Sequence, residues 1–463
     1  MDFLFNLIIE PWIAILTGPL FFGEVVIGGI LSGVMYALVA LGFVLIYKAS
    51  GVFNFAQGVM VLFAALSLVG LMERGVPLLL AIVLTGLIML ALAFAIERVI
   101  LRYMVNQEQI ILFMATIGLT FFLEGFGETL WGSNVKALDI GIPDAPLNVS
   151  KVAIATPLLA AVFVVAVVAS LAILVIWRMR AARRAIDELG SSAVSVLPGP
   201  LGMAAVVLGL VFFLARFAFG ADAAFIQGKP SKTAMLLATL SWTGLTMVLS
   251  VALFSAATWL GRRQALRDAG SLVPPLHYGW FIALGLVSTI AAAAGVVWAI
   301  RSGILINSFE LFAAAMAATL VIVLALFFQK TRVGRALRAV ADDHAAALSV
   351  GISLRGIWVI VWAVAGLVAL AAGIIWGGKS GVQFSLSLIA LKALPVLILG
   401  GFTSVPGAIV GGLIIGVGEK VAEVYWGAAL GGAIENWFAY MLALVFLLVR
   451  PQGLFGEKII ERV

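Results

Sequence analysis

Asn54 and Gln57 stand three residues apart in KASGVFNFAQG (Lys48–Gly58), directly after an apolar run of membrane-spanning length. Carboxamides can offer and accept hydrogen bonds, toward a polar solute or toward backbone. Leaving them unpaired away from water is costly. Irregular backbone at membrane depth is tolerated only inside protein or beside a water-filled cavity. Gly51 and Gly58 bracket the pair. The segment is therefore a broken helix lining a solute route, with Asn54, Gln57 and Gly58 on it, or a loop at the membrane interface whose amides bond backbone.

A second candidate is Lys392–Gly412, KALPVLILGGFTSVPGAIVGG. Pro395, Gly400, Gly401 and Pro406 interrupt helices, and interrupted helices near the bilayer midplane often build solute sites. Ser404, Pro406 and Gly407 are its candidate residues. The competing reading is a structural hairpin that seals the bundle. Glu124 and Glu128 sit in the far half of an expected span, so Glu124 joins the candidates for the solute route. Pairing with Arg or Lys elsewhere is the plainer alternative.

The third candidate is the polar island Thr331–Gly351, TRVGRALRAVADDHAAALSVG. Alanines and leucines recur there at helical spacing, which predicts a short helix on the membrane surface. Gly334, Arg335, Arg338, Asp342, Asp343 and Gly351 are its marked positions. Either this helix receives force from a cytosolic partner, or it is an ordinary positive loop fixing orientation.

Other patterns lead nowhere. Gly373–Ser380, GIIWGGKS, matches a phosphate-loop string letter for letter. That string holds a phosphate only between a strand and a helix. Here it ends an apolar run. His277 and His344 are the only histidines and lack metal-ligand spacing, and the chain has no cysteine. No nucleophile elbow or catalytic carboxylate pair is present. The expectation is a non-enzyme with no metal and no cofactor.

The elements holding these candidates follow from composition. Of 463 residues 64% are hydrophobic and only 11% charged, with mean hydropathy +1.21. An apolar run of about 20 residues crosses a bilayer as a helix. The chain reads as an all-α, polytopic membrane protein. Spans are expected near 25–47, 59–72, 76–96, 109–131, 154–177, 201–219, 235–260, 279–300, 307–328, 356–377 and 434–449. Residues 1–24 read as an interfacial helix. Residues 388–418 read as a re-entrant hairpin with arms of about 15 Å.

Lysine and arginine mark cytoplasmic loops. With 331–351 inside, the inner side collects about twice as many basic residues as the outer, including Arg98, Arg183, Arg263, Arg335 and Arg450. The bias puts the N-terminus outside and the C-terminus inside, with 11 crossings. Loop charge also accounts for the net +6, so no nucleic-acid partner is expected.

Five stretches in fixed order, SGVMYALVALGFVLIYKASGVFNFAQG, IERVILR, ATIGLTFFLEGFGETLWG, TRVGRALRAVADDHAAALSVGI and KALPVLILGGFTSVPGAIVGGLIIGVGE, resemble the permease family of branched-chain amino-acid ABC importers, closest to the LivH type. The resemblance covers about 25–147 and 305–455. It implies a bacterial inner-membrane importer with a second homologous permease subunit, two cytosolic ATP-binding subunits and a periplasmic solute-binding protein. It also implies that 331–353 is the ATPase-coupling helix. Permeases of similar type serve urea, amides or small organic acids. An ion-coupled secondary transporter is the rival of another class. Residues 151–304 exceed the usual family length and read as an inserted helical module. Within it Arg216 should sit near the outer end or pair with Asp222.

Overall fold

The computed structural model describes residues 5, 7–51, 53–104, 107–148, 200–221, 231–268, 305–342 and 344–455, with scattered positions between 224 and 297. The helices are α1 (Glu10–Thr17), α2 (Pro19–Ser50), α3 (Gln57–Glu73), α4 (Leu78–Val99), α5 (Gln109–Trp131), α6 (Pro200–Ala218), α7 (Lys232–Asp268), α8 (Ser308–Lys330), α9 (Arg332–Asp342), α10 (His344–Ser349), α11 (Leu354–Ser380), α12 (Ile389–Gly400), α13 (Val405–Leu430) and α14 (Phe438–Val449). Strands β1 (Pro146–Asn148) and β2 (Leu305–Asn307) pair antiparallel, with Leu147 opposite Ile306.

Helices satisfy their own backbone, which a bilayer demands of any segment crossing it. Among the described residues seven helices are long and apolar enough to cross a membrane, in α2, α4, α5, α7, α8, α11 and α13. The chain is a multi-pass helical membrane protein. The expected span at 154–177, and half of that at 279–300, lie outside the described residues. Three other expected spans form or include shorter apolar helices: α3, α6 and α14. The hairpin also differs from expectation. Its first arm, α12, has 12 residues, whereas its second, α13, has 26 and runs on to Leu430.

Two compact units divide the chain, Met1–Gly141 with Phe309–Val463, and Ile142–Ser308. The expected insertion, 151–304, falls inside the second.

In the first unit α3 is the centre, buried from Gln57 through Gly70. Helices α5 and α11 pack on it. Helices α2 and α13 run antiparallel with almost nothing between their backbones. A Cβ on Gly33 would lie 2.5 Å from the Gly412 carbonyl oxygen, and one on Gly416 2.4 Å from the Gly33 nitrogen. Small residues permit this approach, and van der Waals contact rewards it where lipid competes for the helix surface.

Helix directions sort the charges. Tyr47 near the end of α2 meets Phe402 between α12 and α13, with ring centroids 5.5 Å apart. Leu454 and Phe455, beyond α14, donate backbone bonds to Leu399 and Gly400. Lys48, Arg335, Arg338 and Arg450 thus share one end of this unit, the basic end. At the opposite end Lys379 pairs with Glu310 at 2.6 Å, and Lys136 pairs with Glu73. The phosphate-loop string ends α11 there, with no strand before it.

The amino-terminal helix is shorter than the expected 1–24 element, because Gly18 separates α1 from a 32-residue α2. Trp12 of α1 is exposed on one side and meets Trp426 edge-on at 5.8 Å.

In the second unit α6 and α7 approach through Gly209 and Gly244. Arg216 is fully buried and donates to the Ser241 hydroxyl at 3.2 Å. The rings of Phe213, Phe217 and Trp242 lie 5.4–5.8 Å from its guanidinium carbon. Asp222, its expected partner, lies outside the described residues. Arg216 lies in the last turn of α6, buried among these rings and a hydroxyl.

Candidate functional site

Helix α2 stops at Gly51, whose left-handed φ of 70° lets its N–H bond the Tyr47 carbonyl. The chain then turns back into the bundle without helical structure until Gln57. Gln57 meets Gly42 of α2 and donates to the Ala365 carbonyl of α11 at 3.4 Å. Gly42 is about 12 Å from the end of α2, and Ala365 about 16 Å from the start of α11. The irregular segment therefore lies at membrane depth.

Its polar groups are met by protein. Asn54 Oδ1 accepts from the Ala56 N–H at 3.1 Å, and Asn54 Nδ2 faces Gln57 Oε1 at 3.5 Å. Both side chains are fully buried. Thr116 of α5 holds the backbone by accepting from the Phe55 N–H at 3.2 Å, while its own proton goes to the Phe113 carbonyl at 2.8 Å. Phe53 also stacks on Phe43 at 4.8 Å.

The broken segment and the hairpin meet twice. Gly58 packs so closely on the turn before α12 that a Cβ would lie 2.1 Å from the Ser387 carbonyl oxygen. Phe53 meets Phe402 edge-on at 6.5 Å. Ser404 caps α13, its hydroxyl accepting from the Gly407 N–H at 3.0 Å, and Pro406 occupies the first turn. Gly407 lies against Gly400, where a Cβ would come within 2.1 Å of the carbonyl oxygen. Gly58 thus meets the start of α12, and Phe53, next to Asn54, meets Phe402 in the turn that leads to Ser404, Pro406 and Gly407.

Glu124 does not join them. It is half-buried, about 12 Å further along α5 than Thr116. Glu128 is exposed beyond it, near the exposed Phe121, Phe122 and Phe126.

The polar island folds as the amphipathic α9 and short α10. Leu337 and Val340 face the bundle, while Arg332 and Arg335 are exposed. Gly334 is buried against the end of α8, where a Cβ would fall 2.0 Å from the Phe328 carbonyl oxygen. Thr331 caps the turn by accepting from the Gly334 N–H. Arg338 turns inward and donates to the Phe328 carbonyl at 2.6 Å. Gly351 ends α10 with φ 83°. Asp343, and the side chain of Asp342, lie outside the described residues.

Two features escaped sequence reasoning. One is Thr116, whose only signal was a hydroxyl in an apolar run. The other is a group of charges inside the bundle. Glu419 is buried and accepts from the Tyr36 hydroxyl at 3.0 Å. Lys392 Nζ lies 3.4 Å from Glu419 and 3.8 Å from Glu435. Their spacing inside apolar helices was the missed signal.

The family model described as branched-chain amino acid transport system / permease component matches residues 25–186 and 190–450. The chain belongs to this family. Over 142 residues it is 32% identical to the high-affinity branched-chain amino acid transport system permease protein LivH of Escherichia coli K12, covering 30% of this chain and 45% of the relative. Identity to BraD of Pseudomonas aeruginosa, a permease protein of the same description, is 30% over 164 residues, 35% of this chain and 52% of that one. The probable LivH of Methanocaldococcus jannaschii is 29% identical over 141 residues, 30% and 45%. The chain therefore spans about half the length of the curated relatives it matches. No solved structure matches it.

Proposed function

We propose that the chain is a permease subunit of an ATP-driven importer for branched-chain or other hydrophobic amino acids in the bacterial inner membrane. A second homologous permease, two cytosolic ATP-binding subunits and a periplasmic solute-binding protein complete it. The basic end is cytoplasmic, so the N-terminus is outside and the C-terminus inside. The observation that carries the reading is α9, a surface helix bolted to the end of α8 with arginines turned outward.

A helix held this way moves with the bundle. Gly334 and Thr331 fix its approach, and Arg338 ties it to α8. Arg332, Arg335, Asp342 and Asp343 are then the groups that meet the ATPases. Gly351 ends the lever before α11 begins. Closure of the ATPase dimer pushes α9, and the push reaches the seam between 51–58 and 400–407. The contacts of Asn54 Nδ2 with Gln57 and of Gln57 Nε2 with the Ala365 carbonyl, at 3.4–3.5 Å, are at the long limit of hydrogen bonding. Exchanging them for a solute's polar groups is therefore cheap. Catalysis resides in the ATPase subunits, and this chain needs no cofactor or metal.

The test is reconstitution with the ATPases and binding protein encoded by the same genome. Uptake of leucine should require ATP and the loaded binding protein. Uptake driven by a proton gradient without ATP would sink the importer reading. ATP-driven uptake of urea or an organic acid, with leucine excluded, would remove the amino-acid assignment alone.

A further inference from the structure

Helices α12 and α14 have 12 residues each, about 18 Å, roughly half of a bilayer crossing. They run side by side, with the Tyr440 hydroxyl on the Leu391 carbonyl and Leu454 on Leu399. Both end at the basic end, so both begin at mid-depth. The chain leading into α14 is bent back to that depth by Glu423, whose carboxylate accepts from the Ala433 and Glu435 N–H groups.

Lys392, Glu419 and Glu435 gather where these half-helices begin. Glu419 lies about 21 Å from the start of α13 and about 17 Å from its end, near the middle of the crossing. Lys392 is in the first turn of α12, where the helix dipole opposes a cation. Helix stability therefore does not explain it. Its ammonium is too far from either carboxylate for a tight charge-assisted bond, which would close to about 2.7–2.9 Å. The Lys392 side chain is 30% exposed and that of Glu435 39%. Charges reaching the surface at this depth face water or protein rather than lipid. Tyr36 holds the third charge in place, its ring stacked on Trp376 at 5.6 Å.

We propose that Lys392, Glu419 and Glu435 bind the charged headgroup of a zwitterionic solute, an α-amino acid. The solute carboxylate takes the Lys392 ammonium, and its own ammonium takes Glu435. Glu419 stays fixed on Tyr36 as the counter-ion that Lys392 leaves and regains. A mixed-sign cluster suits this solute because binding changes no net charge. The inference rests on the importer reading above and assigns its headgroup site.

The experiment is leucine uptake by the reconstituted complex carrying Glu435→Gln, and separately Lys392→Met with Glu419→Gln and Glu435→Gln. The triple variant removes all three charges together, so no unpaired ion remains to unfold the chain. The expected result is recovery of the complex on size exclusion, a leucine uptake rate at least about tenfold lower for Glu435→Gln at saturating loaded binding protein, and no leucine uptake by the triple variant. A triple variant that imports leucine normally, or an unchanged uptake rate for Glu435→Gln, overturns the site while leaving the importer reading intact. A triple variant lost from the membrane leaves the decision to Glu435→Gln, which alters only a part-exposed group. Failure of the wild-type complex to import any amino acid removes the reading beneath it instead.

Discussion

The Arg338 guanidinium donates to the Phe328 carbonyl at 2.6 Å, closing the bend between α8 and α9. Carbonyls at a helix end lack intrahelical partners, and a cation there also meets the negative end of the helix dipole. The bond explains why an arginine of the surface helix points into the bundle. Arg338→Met should therefore uncouple ATP hydrolysis from uptake and lower the melting temperature. Arg335→Glu, on the exposed side, should leave melting unchanged while reducing co-purification of the ATPases. Paired melting and pull-down measurements separate the two. Equal effects on both readouts would contradict the division of roles.

The contact between α2 and α13 leaves no room at Gly33. Gly33→Leu should destabilise the protein by about 3 kcal/mol or prevent its insertion, because the obstacle is backbone and not a side chain that can turn away. Gly28 faces open space on the same helix, so Gly28→Leu should be tolerated. Thermal melting in detergent checks the contrast.

The Thr116 hydroxyl accepts the Phe55 N–H in the irregular segment. Thr116→Val should cost about 1–2 kcal/mol and speed amide exchange at Phe55, whereas Thr116→Ser should restore both. Hydrogen exchange resolved at residues 53–57 is the measurement. Protection unchanged in the valine variant would show that the hydroxyl is dispensable.

Gln57 gives a different expectation. Its bonds are long, so Gln57→Leu should leave the melting temperature within a few degrees of wild type yet abolish uptake. A variant that melts early would point to a purely structural amide.

Ser404→Ala removes the cap of α13 and should cost about 1 kcal/mol. Uptake should fall only in proportion to the protein recovered, because the hydroxyl is engaged with the Gly407 N–H. A loss of uptake at full recovery would place Ser404 on the solute itself.

Much of this was legible in sequence because the membrane makes the chemistry stark. Asn54 and Gln57 were conspicuous as amides in an apolar region, and the structure buries them there. A surface helix in 331–351 followed from alanine and leucine spacing, and α9 forms over Arg332–Asp342. The inward turn of Arg338 was not legible, since a charge on a surface helix reads as solvent-facing until its neighbour is known. The pairing of Lys392 with Glu419 was not legible for a related reason. Loop assignment by charge treats a cation and an anion 27 residues apart as independent, although helix directions bring them together. The length of α13 was missed because Glu419 and Lys420 looked like a helix end, whereas an ion pair and a tyrosine hydroxyl make the charge of Glu419 tolerable inside one.

The glycine seam of α2 and α13 has a mechanical consequence. Where two helices touch through backbone, no rotamers are available to absorb a shift, so the two behave as one strut about 40 Å long. Strain entering at the basic end finds no side chain to absorb it at that contact. It must be taken up where the chain is already discontinuous, at the entry to α3 and at the mid-bilayer beginnings of α12 and α14.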